Sequence, residues 1–285
     1  MRVKFIEPML PELVDHPPEG EDWIHEIKFD GYRTQIIKDE GGIRLLTRRG
    51  YDWTERYAEI GEAAAHIEAE TFIIEGETIK VDDTGHPDFD ALQSAAASHL
   101  LQDLYLVAFD LLHVNGHDLR NMPLADRREI LQLMIPDDSC IQFSEPIPGT
   151  GAAAYHLVDQ AGLEGIVSKR RDSVYRSGDT MNWRKIKCYE EKEMEIIGVQ
   201  RDPGQAVRVL MADRGHYVGT ANVPFKRDKR KRLWDQVQGK VGAPPPKALK
   251  KDKAEWLKPG LFGRVKTLKG EEKLRRAKLL DFWEE

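Results

Sequence analysis

An α+β fold of antiparallel sheets and helices, followed by a small β-barrel, is the architecture this sequence of 285 residues predicts. Three observations carry that prediction. Short β-rich runs alternate with amphipathic helical stretches through the first two-thirds of the chain. Beyond Cys188 they give way to alternating segments broken by glycine turns. The charge changes sign at the same place: residues 1–188 hold 20 Lys+Arg against 34 Asp+Glu, and residues 189–285 hold 23 against 15, within an overall charge of -6. Two domains, 1–188 and 189–285, suit a chain of this length.

In chain order, residues 23–27, 33–37, 43–46, 72–75, 104–109 and 165–168 are β-rich and predict strands. Residues 54–66 space their apolar side chains as an amphipathic helix. Residues 89–99 follow Pro87 and Asp88, and residues 124–134 follow Pro123, in the manner of helix starts. In the second part, residues 194–200, 207–212 and 217–222 alternate, with turns at Gly204 and Gly215. A helix over 224–238 leads into Gly242-Ala243-Pro244-Pro245-Pro246. Only about 40 residues follow that run, so a long loop inside the second domain fits it better than a linker. Strands, one interrupting helix and further strands with a basic surface are the pattern of an OB-fold. Its cations gather at 226–232, 247–253 and 264–278; each run alone would be a solvated face, but three in one small domain favour contact with a phosphate backbone.

A hydrophobic share of 40% with 32% charged residues belongs to a soluble globular protein. The opening MRVKFIEPML lacks the apolar core of a signal peptide, and no apolar stretch nears the roughly 18 residues of a membrane span. These features predict a cytoplasmic setting. Cys140 and Cys188 fit no C-x-x-C pattern and are expected to be reduced structural thiols. His113 and His117 are expected to flank a turn, since no further ligand stands nearby. There is no G-x-x-x-x-G-K-[ST], so a nucleotide would be held without a P-loop.

The chemistry centres on Glu26-Ile27-Lys28-Phe29-Asp30-Gly31-Tyr32-Arg33, where one lysine stands among two carboxylates, an arginine and a glycine turn. A lysine amine attacks phosphorus only when neutral. At an ordinary pKa of about 10.4, roughly one in a thousand is neutral near pH 7.5, and neighbouring cations are the usual remedy. The bare motif is weak, because an exposed lysine flanked by ordinary acids looks the same. Five further segments follow in order: Leu46-Thr47-Arg48-Arg49-Gly50, Ile74-Glu75-Gly76-Glu77, Val107-Ala108-Phe109-Asp110-Leu111-Leu112, Glu164-Gly165-Ile166-Val167-Ser168-Lys169 and Trp183-Arg184-Lys185-Ile186-Lys187.

On these six blocks the chain resembles the ATP-dependent DNA ligases of the covalent nucleotidyltransferase superfamily. Pro8-Met9-Leu10, Pro87-Asp88-Phe89-Asp90-Ala91-Leu92-Gln93, Gly116-His117-Asp118-Leu119-Arg120 and the following Pro123-Leu124 and Arg127-Arg128 narrow the likeness to the ligase domain of bacterial non-homologous end-joining ligases. The resemblance implies a nucleotidyltransferase (adenylation) domain followed by an OB-fold domain, with ATP as AMP donor. Lys28 would attack the α-phosphate, releasing pyrophosphate and leaving AMP on the lysine. The AMP would pass to the 5′-phosphate of a nick in duplex DNA, and a 3′-hydroxyl would then displace it.

The resemblance also implies roles for single residues. Glu164 would bind the essential Mg²⁺ or Mn²⁺, Glu77 the ribose or the metal, and Asp30 would assist the steps at the nick. Lys185 and Lys187, two apart on a strand, would both address the α-phosphate and favour the neutral amine of the nucleophile. Arg33 and Arg48 would hold the ribose and nick phosphates with planar forks, or else form surface ion pairs. Phe109 would stack on adenine or simply fill the core. Glu26 would read the adenine amino group through its side chain or its backbone. Near the C-terminus Arg275, with Arg276 or Lys278 as alternatives, would orient pyrophosphate, although Ala277 stands where the family carries proline.

Rival readings are an RNA ligase, a GTP-dependent capping enzyme, and a non-catalytic OB-fold protein that binds nucleic acid; the flanking segments favour the DNA ligase. An NAD-dependent ligase would need a further domain ahead of Lys28. The short stretch before Lys28 leaves no room for a DNA-encircling domain. A minimal, monomeric ligase is therefore expected, with a salt-sensitive grip on nicks and ends that would lean on an end-binding partner such as Ku.

Overall fold

The computed structural model describes residues 2–98, 101–137, 139–201, 204, 206–246, 249, 254–269 and 273–285, the side chains of Ser98, Arg275 and Arg276 excepted. The cationic run at 247–253 therefore lies outside the described residues, apart from Leu249. The chain divides into two compact units, Met1–Lys187 and Cys188–Glu285.

The first unit holds two sheets. In one, β1 (Met9–Leu13), β10 (Gly178–Lys187), β9 (Gly165–Arg170) and β2 (Trp23–Ile27) lie side by side in that order. In the other the order is β4 (Gly42–Thr47), β3 (Tyr32–Asp39), β5 (Phe72–Lys80), β6 (Leu104–Val114) and β7 (His117–Asp118), and β8 (Ile141–Phe143) also pairs with β6. Alternation along β3 explains how the second sheet serves two cores. Ile36 points into a cluster with Ile60 of α1 (Ala58–Ala65), Leu92 of α2 (Phe89–Ser98) and Leu131 of α3 (Leu124–Met134). Its neighbour Ile37 points the other way, into a cluster with Met9, Ile24 and Trp183 of the first sheet. The two sheets thus share one apolar interior.

The pairings are mainly antiparallel, as expected, but β1–β10 and β6–β8 run parallel. Side-chain alternation has the same period in both arrangements, so strand direction is not written in it. Pro11, which has no N–H to give, sits in the edge strand β1. Helix α1 begins at Ala58, four residues inside the predicted start, because Thr54 turns back to bond Asp52 and Leu45. Helix α4 (Gly151–Gln160) was not anticipated, although Thr150 caps it by accepting from the Ala153 N–H. His113 and His117 flank a hairpin turn whose Asn115 and Gly116 adopt φ of 45° and 84°.

In the second unit the strands form a closed circuit. β12 (Arg208–Asp213) pairs β13 (His216–Asn222), which pairs β16 (Leu274–Glu284), then β15 (Leu261–Leu268), then β11 (Tyr189–Gln200), which returns to β12. The β13–β16 contact is parallel. β11 pairs with β15 along Tyr189–Glu195 and with β12 along Glu195–Gln200, shifts register against β12 between Ile196 and Gly198, and pairs with the two-residue β14 (Glu255–Trp256) at Gly198 and Val199. Helix α5 (Arg227–Lys240) covers the barrel core with Leu233 and Val237. It starts three residues after Pro224, since Lys226 is still extended.

Candidate active site

Three close backbone approaches shape the site. Lys28 lies just beyond β2, its N–H bonded to the Gly165 carbonyl at 2.8 Å. A Cβ on Gly31 would fall 2.2 Å from the Thr78 carbonyl oxygen, so only glycine lets the turn after Lys28 lie against β5. A Cβ on Gly165 would fall 2.0 Å from the Ile186 oxygen, and its φ of +149° is itself one that side chains resist. Gly165 thereby brings the start of β9 onto the end of β10, and with it Glu164 onto Lys187.

Glu164 joins two lysines. Its Oε1 accepts from Lys187 Nζ at 2.7 Å, and its Oε2 is in close contact with Lys28 Nζ. Burial alone would raise the Glu164 carboxyl, but Lys28 and Lys187 outweigh it and hold the group below the usual carboxylate range. Glu77 behaves oppositely. Burial pushes it up to about 7 despite Lys28 and Arg33, and the charges of Asp30 and Glu164 add to the rise. Glu77 therefore feels Asp30 and Glu164 as like charges. A divalent cation would relieve that repulsion, and the carboxylate donors suit Mg²⁺ or Mn²⁺. Among the described residues no three His, Cys, Asp or Glu side chains converge as a metal group by themselves.

Beside the lysine a cavity of about 120 Å³ opens between the sheets, lined among others by Pro11, Glu26, Arg33, Phe109, Lys169 and Trp183. Glu26 is 2% exposed and accepts from Ser144 Oγ at 2.6 Å and from Lys169 Nζ at 3.1 Å, both at Oε2. Lys169 and Arg128 stand 3.0 and 3.1 Å from Oε1, but no hydrogen bond is directed at that oxygen. Lys169 Nζ lies 4.3 Å from the Phe109 ring centre and 4.5 Å from that of Trp183. Burial, opposed by Glu26 and aided by Arg128, lowers its pKa to about 8.

Arg33 forms a wall of the cavity and is turned inward. It donates to Glu75 at 2.7 Å and to the Met9 carbonyl at 2.6 Å, leaving Nε as a buried donor without a hydrogen bond. Tyr175 donates to the same Glu75 and accepts from the Met9 N–H, so one phenol ties both sheets to the arginine. Phe109 is half-buried, packed against the core, and also lines the cavity.

The structure brings Glu26, Lys28, Arg33, Glu77, Phe109, Glu164 and Lys187 together. Lys185 does not line the cavity and donates to the carbonyl of Pro11, which does, at 2.9 Å, so the two lysines of β10 meet different partners. Asp30 is half-buried and near Glu77 in its electrostatic effect. Arg48 is exposed in the turn after β4 and does not line the cavity. The backbones of Arg275 and Arg276 lie in β16, but their side chains are outside the described residues; Lys278 is exposed on the same strand. Sequence reasoning assigned nothing to Lys169, Arg128, Ser144 and Tyr175. A lysine at a buried strand position and paired arginines on the inner face of α3 were the available signals; Ser144 offered none.

Comparison with known proteins places this geometry. The profile of the family described as ATP dependent DNA ligase domain matches residues 6–187. The multifunctional non-homologous end joining protein LigD of Pseudomonas aeruginosa is 34% identical over 242 residues, covering 84% of this chain and 28% of that protein. The chain thus spans about a quarter to a third of the curated LigD relatives it matches. The crystal structure of the ligase domain of M. tuberculosis LigD superposes with a TM-score of 0.59 at 26% identity, covering 97% of this chain and 94% of that one. A mycobacterial DNA ligase D complexed with ATP and MES is similar at 26% identity, with a TM-score of 0.58 over 97% of this chain and 95% of that one.

Proposed function

Since the chain belongs to the ATP-dependent DNA ligase domain family, we propose that it seals 5′-phosphate/3′-hydroxyl breaks in duplex DNA through a lysyl-AMP formed on Lys28. The observation that carries this reading is the pairing of Lys28 with Glu164 beside a cavity that Glu26 and Lys169 also line. Attack on the α-phosphate requires Lys28 to leave that ion pair. Lys187 keeps Glu164 compensated when it does. Glu164 and Glu77 are the carboxylates that would hold Mg²⁺ or Mn²⁺, which when bound neutralises phosphate charge.

The cavity favours adenine on hydrogen-bonding grounds. Adenine offers a donor at N6 beside an acceptor at N1, matching a carboxylate acceptor in Glu26 and an ammonium donor in Lys169. Guanine reverses both groups and would face like against like. Phe109 supplies an aromatic surface for the base. Arg33, Lys185 and Lys187 would supply cations for ribose and phosphates, and Asp30 would assist the steps at the nick. Arg48, on the exposed turn, is suited to a nick phosphate, and Arg275, or Arg276 or Lys278 in its place, to pyrophosphate.

The second unit, with its closed circuit of strands and basic helix, acts in this reading as an OB-fold that grips DNA. Residues 1–188 and 189–285 are then the catalytic and DNA-gripping domains. Among the described residues no helix is long and apolar enough to cross a membrane. A cytoplasmic monomer working in end joining, helped by a Ku-type end-binding protein, completes the proposal. Unchanged end-joining rates on adding Ku would remove that partner.

The deciding experiment is transfer of label from α-phosphate-labelled ATP, with GTP and NAD in parallel and Lys28→Ala as control, followed by a chase with nicked DNA. Label from ATP alone, discharged as sealed product, is expected. Labelling from GTP, or from no donor, would overturn the reading.

A further inference from the structure

Helix α5 carries a face unlike the rest of the second unit. Lys226, Arg227, Arg230, Lys231 and Trp234 follow the spacing i, i+1, i+4, i+5, i+8, so the helical repeat gathers them along one side. With Phe225 they line an open cleft of about 440 Å³. The four cations are exposed, and among the described residues none of them makes an ion pair. Lys229, on the adjoining side of the helix, is by contrast tied to Asp281 and to the Leu280 carbonyl.

The cleft has an aromatic element as well as a cationic one. Trp234 is half-buried, with the Arg201 guanidinium carbon 4.4 Å from its ring centre. Phe225 is buried and packs on Phe282 with ring centres 5.6 Å apart. Both rings are therefore held by neighbours. A phosphate backbone by itself would call only for the cations. An acidic protein segment would pair with the cations and leave the aromatic side unmatched. A planar group carrying flanking phosphates matches both, and nucleotides present it only where a strand is unstacked.

We propose that this cleft binds an unpaired nucleotide of a single-stranded DNA extension next to the break, with the base against Trp234 and its phosphates on the cations of α5. The proposal rests on the ligase reading only in taking DNA as the substrate. It gives the enzyme a way to prefer breaks that carry an overhang or a flap, separate from the cavity that takes the nucleotide cofactor.

The test uses the full chain and fluorescence anisotropy on two DNAs: a blunt-ended nicked duplex, and the same duplex with a six-nucleotide single-stranded extension. The wild type should bind the extended DNA about tenfold more tightly. Arg230→Glu combined with Lys231→Glu should abolish that gain, and should lower the salt slope for the extended DNA by about 1.4, the share of two single-strand phosphates. Trp234→Phe should keep the gain and Trp234→Leu should lose it. If Trp234→Leu fails to fold, the charge reversals at exposed positions decide alone.

Equal binding of both DNAs by the wild type would overturn the proposal. So would an equal loss on both DNAs in the variants, which would mean duplex backbone contact only. Unaltered binding after charge reversal would also overturn it and return the cleft to an acidic protein or to solvent. Label transfer from ATP, measured on the wild type of the same preparation, keeps the ligase reading separate: its absence would sink that reading whatever the binding data say.

Discussion

Cations in the two units meet opposite fates. In the first unit Lys28, Lys169, Lys187, Arg127 and Arg128 lie in or near the interior, each against a carboxylate. In the second, Lys226, Arg227, Arg230 and Lys231 stand in solvent on one helix face. Buried charges must be matched locally, because desolvation without a partner costs several kcal/mol. Exposed charges cost little alone and act through the field they share. The first arrangement therefore fixes geometry and resists salt; the second attracts polyanions and yields to salt.

The contrast would break most visibly at Arg127 and Asp110, which are fully buried and joined through two hydrogen bonds. Arg127→Met strands the carboxylate and should destabilise the first unit by about 3–5 kcal/mol in urea unfolding. A loss below about 1 kcal/mol would mean that water reaches the pair. Next in size, Glu164→Gln removes the common partner of Lys28 and Lys187 and should slow label transfer from ATP at least about 100-fold, near 2.7 kcal/mol in the barrier. An unchanged rate would detach Glu164 from the chemistry.

Smaller again is the pH effect of Glu77. Its carboxyl titrates at 4.5 ordinarily and at about 7 in the fold, so between these values the folded state keeps a proton that the unfolded chain has released. That stabilisation is complete below 4.5 and is lost as pH rises through about 7, a change on the order of 3 kcal/mol. Glu77→Gln should flatten this part of the stability curve, and a retained slope would assign it to other groups. The smallest effect is expected at the surface pair Arg120 and Asp118, 41% and 50% exposed. Arg120→Ala should shift stability by about 0.5 kcal/mol or less, the range of exposed ion pairs. A loss several times larger would blur the distinction between buried and exposed charge.

The sequence made the order of elements legible wherever periodicity and punctuation agree. Helix α3 begins after Pro123 and runs over Leu124–Met134, and the strands of β2 and β9 appear where β-branched runs predict them. Parallel pairing in β1–β10 was not legible, because side chains alternate with the same period in parallel and antiparallel strands. In the site, ordered motifs pointed to Lys28, Glu77 and Glu164. Lys169 and Ser144 escaped, since what brings them to the site is contact with Glu26, 143 and 118 residues away. The inward turn of Arg33 escaped for the same reason: Glu75 and Met9 compete for its fork only once the sheets meet.

The circuit of strands in the second unit has a consequence for solubility. A sheet that ends in a free strand offers unpaired N–H and C=O groups to any neighbouring chain, which is how many β-proteins begin to aggregate. Here β12 closes back on β11, and the strand that extends the circuit, β14, is only two residues long. Copies of this chain can therefore crowd together without their second units templating one another.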